Sequence, residues 1–266
     1  MSGERPRDII RHFYDNFGWK KDARSGRSLG ELAHEDLDPR TQAYMDANEE
    51  RYCSLFQQPG RYFLDAASGG EPRTRFSGSF QYHVCADISI LGLSEAREVL
   101  GERGLYVIAD LAALPFREGV FDGAIASHCL YHVDKGQQPT VVQEMARVTR
   151  SGKNILIFYS HKRNLMTLLE KVCVEAGRLL RRNRPAAAGN EPPPIYFERV
   201  PIQTLTVGHS DVEVTCLRIL SMPETQFLGK VHLLGFFIPI ARWLEKTFPR
   251  FSVHLGPYVA IRIRPE

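Results

Sequence analysis

The chain has no C-x-x-C pair and no even set of cysteines. Its five cysteines, Cys53, Cys85, Cys129, Cys173 and Cys216, are scattered, which excludes a disulfide framework and a cysteine zinc site. Long hydrophobic runs are also missing. The most apolar stretch, "LLGFFIPIARWL", is too short and too interrupted to span a bilayer. The opening "MSGERPRDII" lacks the apolar core of a signal peptide. Charge of one sign is not in excess: 34 Lys plus Arg stand against 31 Asp plus Glu, a formal +3. That balance argues against a nucleic-acid partner, for which a strongly basic domain is expected. There is no internal repeat. These absences together predict a reduced, cytoplasmic, soluble protein. What is present is 266 residues, 43% of them hydrophobic. A chain of this size can bury about 70–75% of the surface that its unfolded form exposes, in one or two domains.

Short apolar runs alternate with helical stretches from residue 61 onward. The runs are "RYFLDAA", "YHVCADIS", "GLYVIAD", "VFDGAIAS" and "NILIFYS", each about the length of a buried strand. Between them, "LGLSEAREVLGE" and "QPTVVQEMARVTRSGK" have helical spacing and end near Gly. Such alternation implies a parallel sheet with both faces covered. Residues 6–17 and 38–57 read as helices, the second started by Asp38 as N-cap and Pro39 at the first helical position. After Ser160, residues 162–182 read as a helix and "RNRPAAAGNEPPP" as an exposed loop. "VEVTCLRIL", a long helix over 230–247 that Pro239 should kink, and "PYVAIRIR" follow. The expected organisation is an N-terminal helical cap (1–58), a core (59–161 and 210–266) and an insertion (162–209) that contributes to a substrate lid.

In open α/β sheets ligands bind beyond the carboxyl ends of the strands. Asp65, Asp87 and Asp110 stand at the first three strand ends, and Ser127 with His128 at the fourth. Each Asp alone is also an ordinary strand-end cap; together they form an acidic rim. "LDAASGGE" reads as a strand entering a glycine turn whose mouth is guarded by Asp65. A pyrophosphate prefers amides and a helix N-terminus without a carboxylate, so a cationic ligand fits better. Asp87 follows Asp65 by 22 residues, near the interval of about 20 at which an acid reaches ribose hydroxyls.

These stretches resemble the class I S-adenosylmethionine-dependent methyltransferases, and within them the small-molecule branch that includes quinone-biosynthesis C-methyltransferases. "FLDAASGGE" resembles the first motif, "HVCADIS" the second, "VIADLAALPF" the third, "FDGAIASHCLYHV" the fourth, and "EMARVTRSGKNILI" the helix–turn–strand that follows. The resemblance covers residues 61–160. It implies a Rossmann-like three-layer α/β sandwich around a mostly parallel seven-stranded sheet with an antiparallel last strand. It implies S-adenosyl-L-methionine as cofactor, held by Asp65, Ala67, Ser68, Gly69, Asp87, Ile88, Asp110, Leu111 and Ser127, with Tyr14 closing over it. Ala67 and Glu71 depart from the family's glycines, and only Gly69 matches. Ala67 is compatible with close backbone approach at negative φ. Glu71 with Pro72 would suit the first turn of a following helix.

His128 and His132 lie four apart in "HCLYH". Cys129 replaces the Glu of a zinc-protease helix and no third ligand is evident, so no metal is expected. Tyr131 and His132 are the candidates to line the acceptor pocket, with His132 as base. Arg178, Arg181, Arg182 and Arg184 form a basic cluster, read as a solvated helix end, or as a site for an anion or a lipid surface. The expected reaction is in-line methyl transfer to a lipid, quinone, sugar or secondary metabolite. Peripheral membrane contact fits this reading and membrane insertion does not. The alternatives are a non-catalytic methyltransferase-like binding protein and a nicotinamide-dependent oxidoreductase.

Overall fold

The computed structural model describes residues 5–19, 21, 37–161 and 195–266. Cys173, the helix expected over 162–182, the proline-rich loop after it and the arginine cluster lie outside the described residues.

Seven strands form one sheet: β1 (Gly60–Ala66), β2 (Phe80–Asp87), β3 (Gly104–Ile108), β4 (Gly123–Ser127), β5 (Ile155–Ser160), β6 (Asp211–Arg218) and β7 (Tyr258–Arg264), in the order β3-β2-β1-β4-β5-β7-β6. The pairings from β3 through β5 are parallel; β7 runs antiparallel to β5 and β6. This is the expected mostly parallel sheet with an antiparallel final strand. All of β4 and β5 is buried, which is why they read as unbroken apolar runs.

The longer described helices are α1 (Pro6–Phe13), α2 (Pro39–Glu50), α3 (Ile90–Leu100), α4 (Gln138–Val148), α5 (Met222–Lys230) and α6 (Leu234–Thr247), with single helical turns at Ile202–Leu205 and Pro249–Ser252. The Asp38 side chain caps α2 through the Arg40 amide, and Pro39 follows as expected. The helix expected over 6–17 is α-helical only to Phe13; Tyr14–Gly18 form a wider π turn closed by Trp19 N–H on the Tyr14 carbonyl. Gly18 permits this turn, because a Cβ there would come within 2.5 Å of the Tyr14 ring. The helix expected over 38–57 stops at Glu50 and resumes as a 3-10 turn at Cys53–Phe56. The one expected over 230–247 begins later, at Leu234. His232, at φ +60°, separates it from α5. Tyr44 of α2 and Glu245 of α6 share a short hydrogen bond, and Glu245 also accepts the Ile219 amide at 2.7 Å. The N-terminal region is thereby pinned to the strand end after β6.

The link from β1 to β2 contains no α-helix, only a 3-10 turn at Thr74–Phe76. This corrects the expectation that Glu71 and Pro72 start a helix. Gly69, Gly70, Pro72, Gly78 and three serines fill the segment, a composition that disfavours helix. Two features take the helix's place. Phe76 is buried against Phe56 and Phe158 on that face of the sheet. A polar chain also ties the link down. Arg103 donates to Ser77 Oγ at 3.0 Å, Ser77 meets His83 Nδ1 at 2.8 Å, and His83 Nε2 meets Asp65 at 3.0 Å. Asp65 also accepts the Arg73 amide at 2.7 Å.

Candidate functional site

The carboxyl ends of β1 to β4 meet at a cavity of about 300 Å³. It lies where the chain order reverses between β1 and β4, the switch point at which open α/β sheets bind ligands, and its size suits a small molecule. Ala67, Ser68 and Gly69 line it from the first strand end, Asp87 and Ile88 from the second, and Asp110 and Leu111 from the third. Ser127 and His128 line it from the fourth, and Arg7, Tyr14 and Trp19 from the N-terminal segment.

Asp87 is 8% exposed. One carboxylate oxygen accepts the Gly69 amide at 2.9 Å and the other the Ser89 amide at 2.8 Å. Burial nevertheless pushes its carboxyl up to about 6. The Ile88 amide also favours the carboxylate, and lone-pair capacity remains for a donor in the cavity. Ser89 fixes the geometry from behind. Its hydroxyl caps α3 at Gly92 and donates to Asp15 at 2.6 Å, so the π turn and the second strand end hold each other.

Asp110 accepts the Ala112 amide at 3.0 Å through one oxygen. The other pairs with the Arg7 guanidinium at 2.8 Å. Both side chains are partly exposed, 41% and 29%, so solvent screens the pair. Its role is positional: it brings α1 over the third strand end. Ile88 and Leu111 present apolar surface beside the two acids.

The turn after β1 is strained. Ala67 lies at φ +57° and Gly69 at φ +53°. The negative φ expected at Ala67 is not what the fold uses. The left-handed conformation costs an alanine about 1–2 kcal/mol. Glycine at the same place would lose about 0.5–1 kcal/mol in chain entropy, together with a small methyl contact to the core. Ala67→Gly therefore stabilises the chain by about 0.5 kcal/mol, raising its thermal midpoint by about 1–2 °C. A lowered midpoint in a thermal scan would show that the methyl contact outweighs the strain. Gly69 is needed on two counts, because a Cβ there would also stand 2.2 Å from the Trp19 ring. That ring lies over Gly69, Gly70 and Gly92 and stacks on Tyr14, centroids 6.0 Å apart.

On the β4 side His132 lines the cavity. Its Nδ1 is 2.8 Å from the Tyr196 carbonyl. A carbonyl only accepts, so Nδ1 carries the proton and Nε2 keeps a lone pair. Burial lowers the imidazolium's pKa from its usual value, which keeps the ring neutral near pH 7. His128 holds φ +56°. Ser127 Oγ and both His128 ring nitrogens are buried polar atoms without a partner. The His128 ring meets Phe158 and Tyr258, at 5.9 and 5.2 Å.

Two expected residues are not brought to the cavity. Asp65 is 1% exposed, and its carboxylate holds His83 and the Arg73 amide instead of guarding the turn. Tyr131 packs its ring on Phe197 and Tyr159, at 4.5 and 6.0 Å, and burial drives its hydroxyl's pKa well up. The sequence reading missed Arg7, Trp19 and the Asp15–Ser89 link. The only local signal for Trp19 was Gly18 before it, in "YDNFGW".

Residues 64–157 match the methyltransferase domain family. Over 126 residues the chain is 36% identical to the demethylmenaquinone methyltransferase of Mycobacterium bovis, an alignment covering 44% of this chain and 51% of that protein. The chain thus spans about half the length of the curated relatives it matches. Among solved structures it superposes on the geranyl diphosphate C-methyltransferase of Streptomyces coelicolor A3(2), with a TM-score of 0.56, 11% identity and all of both chains covered. It also superposes on SpnF, a [4+2]-cyclase, with a TM-score of 0.53, 16% identity and 86% and 85% coverage. At these identities the structures speak for the fold alone, and this fold hosts more than one chemistry. Residues 64–157 of this chain thus resemble a methyltransferase domain, carried on a Rossmann-like sheet.

Proposed function

We propose that the chain is a methyltransferase that uses S-adenosyl-L-methionine to methylate a small, flat, largely apolar acceptor of the quinol class. One observation supports the cofactor above the others: Asp87 and Asp110 share one cavity with a glycine turn clamped to Asp87 through the Gly69 amide. The donor set fits. The free lone pairs of Asp87 suit ribose hydroxyls, and Asp110 suits an adenine amino group between Ile88 and Leu111. The unpaired Ser127 Oγ and the Ser68–Gly69 backbone suit the polar amino-acid tail. When bound, the sulfonium supplies an activated methyl group.

The chain's own task is then to position, to exclude water and to move one proton. Tyr14 and Trp19 form the roof. His132 Nε2 is the group that takes a proton from an acceptor hydroxyl or carbon acid. Tyr131, Phe197, Phe158 and Tyr258 make an aromatic wall behind His132 and His128, which suits a ring-shaped acceptor. The name of the mycobacterial relative points the same way.

Isothermal titration tests the cofactor. S-adenosylmethionine and its demethylated product bind, and NADH does not. Absence of heat with S-adenosylmethionine at millimolar concentration would overturn the reading, and binding of NADH alone would favour an oxidoreductase. A second reading, a binding protein without turnover, is supported by the strained Ala67 in place of glycine. Release of the demethylated product in the presence of a demethylated naphthoquinol separates the two.

A further inference from the structure

Helix α6 carries two apolar stripes. Leu234, Ile238 and Ala241 face inward, packed with Tyr44 and Ile219. Leu233, Phe236, Phe237, Ile240 and Trp243 recur at the same three-to-four spacing on the other side. At about 100° per residue they cover roughly 120° of the helix circumference. Each is between 37% and 63% exposed. Phe227 and Phe251, at 57% and 58%, extend the surface at both ends. A monomer rarely leaves so much contiguous apolar surface in water.

The exposed charges that this segment itself carries are of one sign, and the nearby Asp38 is already paired with Arg40. From residue 225 to 254 the cations Lys230, Arg242, Lys246 and Arg250 are all exposed. The single acid in that span, Glu245, is 1% exposed and turned inward to Tyr44 and the Ile219 amide. A second copy docked on the same face would set cations against cations around a two-fold axis. A layer of anionic headgroups over acyl chains complements both features, because aromatic side chains settle at the boundary and cations meet the phosphates. No helix among the described residues is long and apolar enough to cross a membrane, so the contact is parallel to the surface.

We propose that the outer face of α6, with the segments flanking it, docks on an anionic lipid bilayer surface. This inference is independent of the reaction assigned above. Flotation of the full chain is measured with vesicles of phosphatidylcholine alone and of phosphatidylcholine mixed with phosphatidylglycerol. The chain floats with the mixed vesicles, floats poorly with the neutral ones, and is released as salt rises. Each cation near an anionic surface is worth about fivefold in partition, so the double variant Lys246→Gln, Arg250→Gln loses roughly 30-fold. A second variant, Phe236→Ser, Ile240→Ser, Trp243→Ser, loses flotation while its circular dichroism and cofactor affinity stay unchanged, since these side chains touch solvent. Two outcomes overturn the proposal. One is equal behaviour with and without the anionic lipid, including no flotation at all. The other is a dimer by light scattering that the serine variant converts to a monomer, which assigns the face to a second copy.

Discussion

Asp87→Asn weakens S-adenosylmethionine binding by a hundredfold or more, yet makes the ligand-free chain more stable at pH 8. Both effects have one cause. The folded chain buries this carboxyl and raises it to about 6, above its unfolded value of 3.8. A raised folded value means that folding favours the protonated form. The stabilisation is fully present below the unfolded value and is lost as pH climbs from about 4 to about 6. Above that window the chain carries a buried anion costing on the order of 3 kcal/mol. Asparagine removes the charge. It also gives up an amide hydrogen bond, about 1 kcal/mol, leaving a net gain of about 1–2 kcal/mol.

The same charge is what two ribose hydroxyls need. Charge-assisted hydrogen bonds are worth about 1.5 kcal/mol each at the low end, which together exceed a hundredfold in affinity. Titration calorimetry across pH adds a second readout. Wild-type affinity falls as pH drops below about 6, by up to about tenfold per unit, and the variant shows no such limb. Unchanged affinity in the variant would remove Asp87 from the cofactor site. Lower stability at pH 8 would mean that the amide contacts outweigh the buried charge.

His132→Gln lowers turnover by about 10²–10⁴-fold, the range that a positioned general base supplies, and leaves cofactor affinity unchanged. Glutamine can still face the Tyr196 carbonyl, but it offers no basic lone pair. The direction in pH follows from burial, which lowers the imidazolium's value below the usual one. Activity in the wild type is full near pH 7 and is lost as pH falls through that lowered value. The acid limb vanishes in the variant. Tyr131→Phe is the control. Its ring stays packed on Phe197 and it is not among the residues that line the cavity, so turnover changes little. A His132→Gln variant that retains turnover with the same acid limb would assign the proton to another group.

The sheet was legible because parallel strands covered on both faces leave continuous apolar runs, and β4 and β5 are the clearest cases. The positions of Asp87 and Asp110 at the cavity were legible because the crevice of an open α/β sheet lies beyond its strand ends. The direction of a strand-end side chain was not. Asp65 occupies the same kind of position, but its carboxylate turns to His83, a partner on the neighbouring strand that spacing along one strand does not reveal. The helix-free link was hidden for a related reason. The 22-residue interval between Asp65 and Asp87 is preserved, and an interval does not record what fills it. The break before α6 was hidden because His232, not Gly, adopts the left-handed turn. Arg7 and Trp19 reach the site from far along the chain, and no local pattern encodes such contacts.

The helix-free link after β1 has a consequence for turnover. Over the glycine turn the roof is Trp19, a side chain from a separate segment. If that roof shifts to admit or release a ligand, the turn keeps only its packing against Gly92 of α3. Ligand exchange and local opening of the fold are then coupled at this edge. A bound ligand adds its affinity to the local stability of residues 67–79. Protection of those amides from hydrogen exchange becomes a gauge of occupancy.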